Sequence, residues 1–316
     1  MYRYVALIAL LVASQLVGSN YVTNLLNIIG LFALPALGLA LLMGYAGQIS
    51  LGHAGFYGMG AFGSALLAMH TGISPWITIP VVAVLVGIFA WGIGWLVFRL
   101  RGHHLAMATL AFGIIVHVCL VEFRQLTGGP NGLPGIPVLS FFGTDLYSDA
   151  RIFPVIWIAC ILALIAAENL VRSPIGLFMR ALGENERAAA SLGIAPDSMK
   201  RSVMMLSGAF AGFAGGLYAH YIGYLSPGPF DVGMSIKLLV MVAIGGFTSI
   251  WGVLLGVAFV TLISEILKPL GAYDILVFGA MLVFIIIYCP RGILFPVTEM
   301  FTRIREKQTP QADKTA

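Results

Sequence analysis

Apolar stretches close to the length that crosses a bilayer follow one another along almost the whole chain, separated by short polar breaks. A helix needs about 20 apolar residues to span the hydrocarbon core. Runs suited to that task lie near 4–18, 24–43, 52–70, 76–98, 104–123, 152–170, 201–223, 235–247, 250–268 and 273–289. The first is short, and the eighth and ninth also read as one broken helix with a neighbour. With 59% apolar and 9% charged residues, the chain cannot clothe itself in a polar surface, since a soluble domain carries about a quarter charged residues. A membrane β-barrel would show alternating strands of about ten residues instead of unbroken runs. Lipid offers no hydrogen bonds to the backbone, so what remains is an all-α polytopic membrane protein of about ten transmembrane helices.

Charge placement orients this bundle. With the N-terminus inside and the spans alternating, 13 of the 17 basic residues fall on the inner side, among them Arg3, Arg99, Arg101, Arg172, Arg180, Arg187, Lys200, Arg201 and Arg291. Arg124, Arg151, Lys237 and Lys268 fall outside or at outer helix ends. This positive-inside bias predicts N-in and C-in, hence ten spans in preference to nine. The stretch Tyr4 to Val17 has no small-x-small cleavage site after it and reads as a retained first helix. Residues 1–301 form one transmembrane domain on this reading, and 302–316 a polar, basic tail expected to be disordered.

Catalytic signatures are missing from the sequence: no Walker A, no H-E-x-x-H, no nucleophile elbow. Cys119, Cys160 and Cys289 sit in apolar runs without a metal-like or paired spacing and read as packing residues. No metal, cofactor or nucleic-acid partner is expected for this chain.

Residues 171–200, on the inner side, have a helical pattern. Ser173 and Pro174 make an N-cap followed by proline at the first helical position. Apolar side chains recur at Ile175, Phe178, Met179, Leu182, Ala189 and Leu192, and polar ones at Arg180, Glu184, Arg187 and Ser191 on one face. Gly183 is expected to divide the segment into two short helices, and Gly193 to end the second. Such a segment either lies on the membrane surface or docks into a partner.

A second dense feature runs from Gly44 to Ala61, GYAGQISLGHAGFYGMGA. Its glycines are too frequent for an undisturbed helix, and Gly52, Gly55 and Gly58, continued by Gly60, Gly63 and Ser64, provide small residues for close helix contact. Gln48, Ser50 and His53 place polar groups at membrane depth, where they either bond between helices or line a pathway or gate. A fainter echo at Gly246–Phe247–Thr248–Ser249–Ile250–Trp251–Gly252 suggests an internal repeat, with Ser249 as its polar group. Asn24 and Asn27 share a face near the outer end of the second span and join the pathway candidates. Glu122 with Arg124 and Glu265 with Lys268 are expected to be interfacial ion pairs. Lys237 is expected to snorkel outward at the start of its span. Asp231, Lys237 and the Pro227–Gly228–Pro229 loop are expected to face an outer partner.

The Gly44–Ala61 block closely resembles the signature of branched-chain amino acid permeases of the LivM/LivH type. Three further blocks agree in order: Leu100–Arg101–Gly102 with Leu105 to Gly113, Thr127 to Gly132, and Gly245–Gly246–Phe247 with Trp251–Gly252. They favour the LivM half of the pair. Glu186 to Gly193 likewise resembles the EAA loop of ABC importer permeases, with the acidic residue one place further from the glycine than in the general motif.

The resemblance implies a permease subunit of an ATP-driven importer in the bacterial inner membrane. It would act beside a LivH-like second permease, two LivG/LivF-like ATPase subunits that carry the ATP and Mg, and a periplasmic solute-binding protein. Branched-chain amino acids are the implied cargo, while relatives carry urea, amides or aromatic acids. An ion-coupled secondary transporter is the competing class; it would need acids within the membrane, and the 13 acidic residues sit mostly at span ends and in loops. The resemblance further implies that the loop 172–200 couples to the ATPase through Arg180, Glu184, Glu186, Arg187, Ala188, Ala189 and Gly193.

Overall fold

A computed structural model describes residues 2–16, 19–141, 144–193 and 195–268, together with 276–277, 279–280 and 283–284. Most of the expected tenth span, 273–289, lies outside the described residues, and Cys289 and the tail 302–316 lie wholly outside them.

The helices are α1 (Tyr2–Leu16), α2 (Asn20–Ala40), α3 (His53–Thr71), α4 (Pro75–Val97), α5 (His103–Glu122), α6 (Arg124–Thr127), α7 (Asp149–Arg172), α8 (Pro174–Glu184), α9 (Glu186–Ser191), α10 (Pro196–Ile222), α11 (Val232–Gly245) and α12 (Ile250–Leu267). Six of these elements are long and apolar enough to cross a membrane: α2 with its continuation to Tyr45, then α4, α5, α7, α10 and α12. At 14 residues, α11 rises only about 21 Å and falls short of a crossing. It folds back on α12 as an antiparallel hairpin with glycine at the contact: a Cβ on Gly245 would meet the Gly252 carbonyl at 2.2 Å, and one on Gly256 the Met241 carbonyl at 2.1 Å.

At the centre stands α2, packed against α7, α10, α11 and α12. Its lower half, from Leu31 to Leu42, is apolar all round and almost entirely buried, as a helix of that composition should be. The outer helices carry their apolar residues outward: Trp76, Val84, Ile88 and Trp95 on α4, Ile158 and Leu162 on α7, and Phe259 and Leu262 on α12 are all exposed. Water would make that surface costly, whereas hydrocarbon makes it neutral.

Without a hydrophobic force between helices in lipid, close backbone contact has to hold α3, α4 and α10 together. The sequence supplies it with glycine. A Cβ on Gly60 would lie 2.1 Å from the Gly212 carbonyl, one on Gly215 2.0 Å from the Tyr57 carbonyl, and one on Gly208 2.5 Å from Ala90. The α3 glycines turn out to serve several neighbours: Gly52 and Gly55 face Thr109, Phe112 and Gly113 of α5, and Gly58 faces Phe230.

Between α5 and α7 the chain forms two small antiparallel ribbons. Strand β2 (Ser140–Phe141) pairs with β3 (Thr144–Asp145), and β1 (Leu133–Pro134) pairs with β4 (Tyr224–Leu225) beyond the end of α10. Free cysteines Cys119 and Cys160 lie within helices, the latter buried.

Three local expectations need correction. Gly183 does not divide the loop, because it remains helical; the break falls at Asn185, whose extended backbone and side-chain oxygen, accepting from the Arg187 and Ala188 amides at 3.1 Å, start α9. The four polar positions therefore lie on two helices and share no single face. Glu122 and Arg124 form no ion pair among the described residues, since the helix turns off at Phe123 (ψ 54°), whereas Lys268 and Glu265 do pair at 2.6 Å. Lys237 does not sit at a helix start: α11 begins at Val232, and the Lys237 ammonium lies 5.4 Å from the Phe32 ring of α2.

The glycine seam sets a test. Gly215→Leu should lower the melting temperature of the detergent-purified protein, with an overpacking cost of at least ~1–3 kcal/mol. Gly92→Ala, whose added Cβ meets nothing within 4 Å, should leave it unchanged. Equal melting of the two variants would contradict the role given to this seam.

Candidate coupling and gating site

After Ala40, α2 widens into one π turn, Leu41–Tyr45, and the chain then runs irregularly through 46–52 until α3 begins at His53. Gly47 makes this possible with a left-handed φ of 66°. Irregular backbone at membrane depth is tolerated only where protein satisfies its polar groups. Here it does. The Leu51 amide donates to Thr109 Oγ1 at 3.0 Å, the Gln48 amide to the Leu42 carbonyl at 3.0 Å, and the Ala54 amide to Ser235 Oγ at 3.1 Å.

At the end of this segment His53 is fully buried. Its Nδ1 lies 3.0 Å from Ser50 Oγ and its Nε2 lies 2.6 Å from Ser207 Oγ of α10. Both serines are buried as well. The imidazole thus joins the irregular segment to α10 through two hydroxyls, with no carboxylate in the chain of bonds. Gln48 is half-buried, and its side chain donates to the Ala46 carbonyl at 3.0 Å.

The other end of the segment is gripped from two sides. On one side is α8: a Cβ on Gly183 would lie 2.7 Å from the Tyr45 carbonyl, and one on Gly47 2.9 Å from Gly183 Cα. Arg180 stands 5.6 Å from the Tyr45 ring and donates to the Val171 carbonyl at 2.9 Å. On the other side is the α11–α12 turn, where Tyr45 OH donates to the Thr248 carbonyl at 2.5 Å and Gly44 abuts the Phe247 carbonyl. The two glycine-rich blocks that echo each other in sequence therefore touch. Ser249 of the second block caps α12, accepting from the Gly252 amide at 3.1 Å.

Within the loop, Glu186 turns inward. Its carboxylate lies 2.8 Å from Lys200 Nζ, which is only 2% exposed, and 3.8 Å from Arg101. Ala189 is buried beneath α9, while Glu184, Arg187 and Ala188 are exposed. Gly193 ends the helix with φ 85° in open space. Leu177, Phe178 and Leu192 leave apolar side chains in the open on α8 and just past α9.

Asn24 and Asn27 lie away from this group. Asn24 donates to Tyr221 OH at 2.7 Å and Asn27 to the Asp149 carbonyl at 3.0 Å, while Tyr221 donates to the Asp149 carboxylate at 2.7 Å. They tie α2 to the start of α7 and the end of α10. At the same end of the bundle His220, buried, bonds Ser64 at 2.9 Å and the Pro137 carbonyl at 2.6 Å, and Ser64 bonds Thr78 at 3.1 Å. Sequence reading named none of Ser207, Thr109, Ser235, Lys200 and His220 as a site residue. Each is an isolated polar residue in an apolar or mixed helix, and intramembrane polarity was the one available signal.

Comparison with known proteins adds to this geometry. Residues 21–286 match the family described as the permease component of branched-chain amino acid transport systems. The chain is 32% identical to the high-affinity branched-chain amino acid transport system permease protein LivM of Escherichia coli K12, over 93% of this chain and 74% of that protein. It is 31% identical to LivM of Salmonella typhimurium LT2, over 96% of this chain and 76% of that protein. To LivH of Escherichia coli K12 it is 27% identical, over 83% of this chain and 91% of that protein. No solved structure matches.

The buried clamp has a measurable consequence. His53→Leu strands the Ser50 and Ser207 hydroxyls, at roughly 1–3 kcal/mol for each group left unsatisfied. A lower melting temperature is expected for His53→Leu in detergent, with a smaller drop for Ser207→Ala, which leaves the Ser50 bond in place. Wild-type melting of His53→Leu would contradict the clamp.

Proposed function

This chain belongs to the family of branched-chain amino acid transport permeases, and from that membership we propose that it forms one half of the membrane pathway of an ATP-driven importer for branched-chain amino acids. As a permease subunit it is a multi-pass membrane protein. The distribution of arginine and lysine supports an inner N-terminus, in a bacterial inner membrane that puts the α8–α9 end in the cytoplasm. The other half is a LivH-like permease. Two ATPase subunits hold the ATP and Mg, and a periplasmic binding protein delivers the solute.

The observation that carries the mechanism is the contact of α8 with Tyr45 and Gly47. The exposed surface of α8 and α9, with Leu177, Phe178, Leu192, Glu184, Arg187 and Ala188, docks on the ATPase. When ATP draws the ATPase subunits together, α8 moves and carries the 44–48 segment with it. That segment leads directly to Gln48, Ser50 and His53, so the displacement reaches the polar group facing α10. Two packings of one bundle, biased by a ligand bound elsewhere, are what alternating access requires. Arg180 belongs to the internal side of this joint through Tyr45. Glu186 holds α9 onto the base of α10 through Lys200 and acts as a positioning residue, with Ala189 and Gly193 shaping the helix and its end. Ser249 fixes the turn that grips Tyr45, while Asn24 and Asn27 anchor α2 at the far end.

Reconstitution with all partner subunits tests this. Leucine uptake should require ATP; uptake without ATP, or by this chain alone, would overturn the reading. Gly183→Val, which drives a side chain into the Tyr45 carbonyl, and Gly193→Trp should retain ATP hydrolysis while uptake falls about tenfold, a coupling change of ~1.4 kcal/mol. Normal uptake by both variants would remove the coupling role of the loop.

A further inference from the structure

A pocket of about 340 Å³ opens where the last turn of α4, the first turns of α10 and the side of α9 meet. Arg99, Arg101 and Arg201 line it against two carboxylates, Glu186 and Asp197. Glu186 is already engaged by Lys200 and Arg101. Among the described residues no carboxylate lies within ion-pair distance of Arg99 or Arg201. Instead their guanidiniums lie over indole rings, Arg99 4.4 Å from Trp95 and Arg201 5.2 Å from Trp91. Arg201 donates its Nε to the Asp197 carbonyl at 3.0 Å. Stacking fixes the planes of the two forks and leaves most of their N–H groups for an acceptor that brings its own negative charge.

The shape of the surroundings says what that acceptor is attached to. Val84, Ile88, Trp91 and Trp95 are all exposed and follow one another at four, three and four residues, a single stripe along α4. The stripe starts at the pocket and rises about 16 Å toward the middle of the helix, much of the depth of one leaflet. A free inorganic anion has no use for such a strip. We propose that this pocket binds the phosphate of an anionic phospholipid from the adjoining leaflet, its acyl chains lying along the α4 stripe. Basic pockets between transmembrane helices at the positive side of a membrane protein suit such headgroups, and tryptophan at the interface suits the glycerol region. One wall is Glu186 of α9, so the lipid sits against the coupling loop.

Tryptophan fluorescence of the full chain in vesicles tests this directly. Brominated phosphatidylglycerol should quench Trp91 and Trp95 more strongly than brominated phosphatidylcholine at equal mole fraction, and Trp91→Phe/Trp95→Phe should abolish the difference. Arg99→Gln/Arg201→Gln should weaken the preference for the anionic lipid about tenfold or more, while Arg124→Gln, at the opposite end of the bundle, should not change it. Equal quenching by the two lipids in the wild type, or a preference that survives the Arg99→Gln/Arg201→Gln change, would overturn the assignment. Loss of the preference on adding millimolar inorganic phosphate would mean a free-anion site and would equally overturn the lipid.

Discussion

Seven residues of irregular backbone join Tyr45 to His53, and the buried ones among them depend on protein to answer their polar groups. Thr109 of α5 bonds the Leu51 amide, while Ser207 of α10 and Ser235 of α11 bond the His53 ring and the Ala54 amide where α3 begins. Three helices distant in sequence each bring one hydroxyl to the place where this segment enters α3. Removing any of them leaves a buried donor or acceptor without a partner, a cost of ~1–3 kcal/mol that an apolar contact does not recover. The segment is therefore held tightly while remaining unable to become a helix.

Glycine sets how closely the same region is joined to its neighbours. Gly44, Gly47 and Gly183 bring α8, the irregular segment and the α11–α12 turn into backbone contact. Backbone-to-backbone contact has little side-chain freedom to absorb a displacement, which is why the proposed coupling runs through it. The Lys200–Glu186 pair, with Lys200 buried and Glu186 partly exposed, joins α9 to α10 at the other end of the loop. Removing Glu186 would leave the buried Lys200 charge without this partner.

Much of the bundle was legible in the sequence because lipid makes hydrophobic length nearly sufficient. The runs 104–123 and 250–268 became His103–Glu122 and Ile250–Leu267 within a residue or two. The run 235–247 became a short helix from Val232, closed at Gly246, whose φ of 90° ends it before it can cross. Less legible was the loop: Gly183 looks like a breaker by propensity, but tertiary contact with Tyr45 keeps it helical, and Asn185 breaks the chain by capping. At the site, Gln48, Ser50 and His53 stood out because they cluster in a glycine-rich block. Their partners did not. Ser207 is one of three serines in α10 and Ser235 sits in the short α11, and only the fold reveals that these hydroxyls meet His53 and Ala54.

Whether the irregular segment moves with the loop is the claim on which the mechanism rests. Hydrogen–deuterium exchange on the reconstituted complex, with and without a non-hydrolysable ATP analogue, measures it. Nucleotide should change exchange in 44–53 together with 180–193, while α4 stays constant. A nucleotide response confined to 180–193, with 44–53 unchanged, would contradict the account.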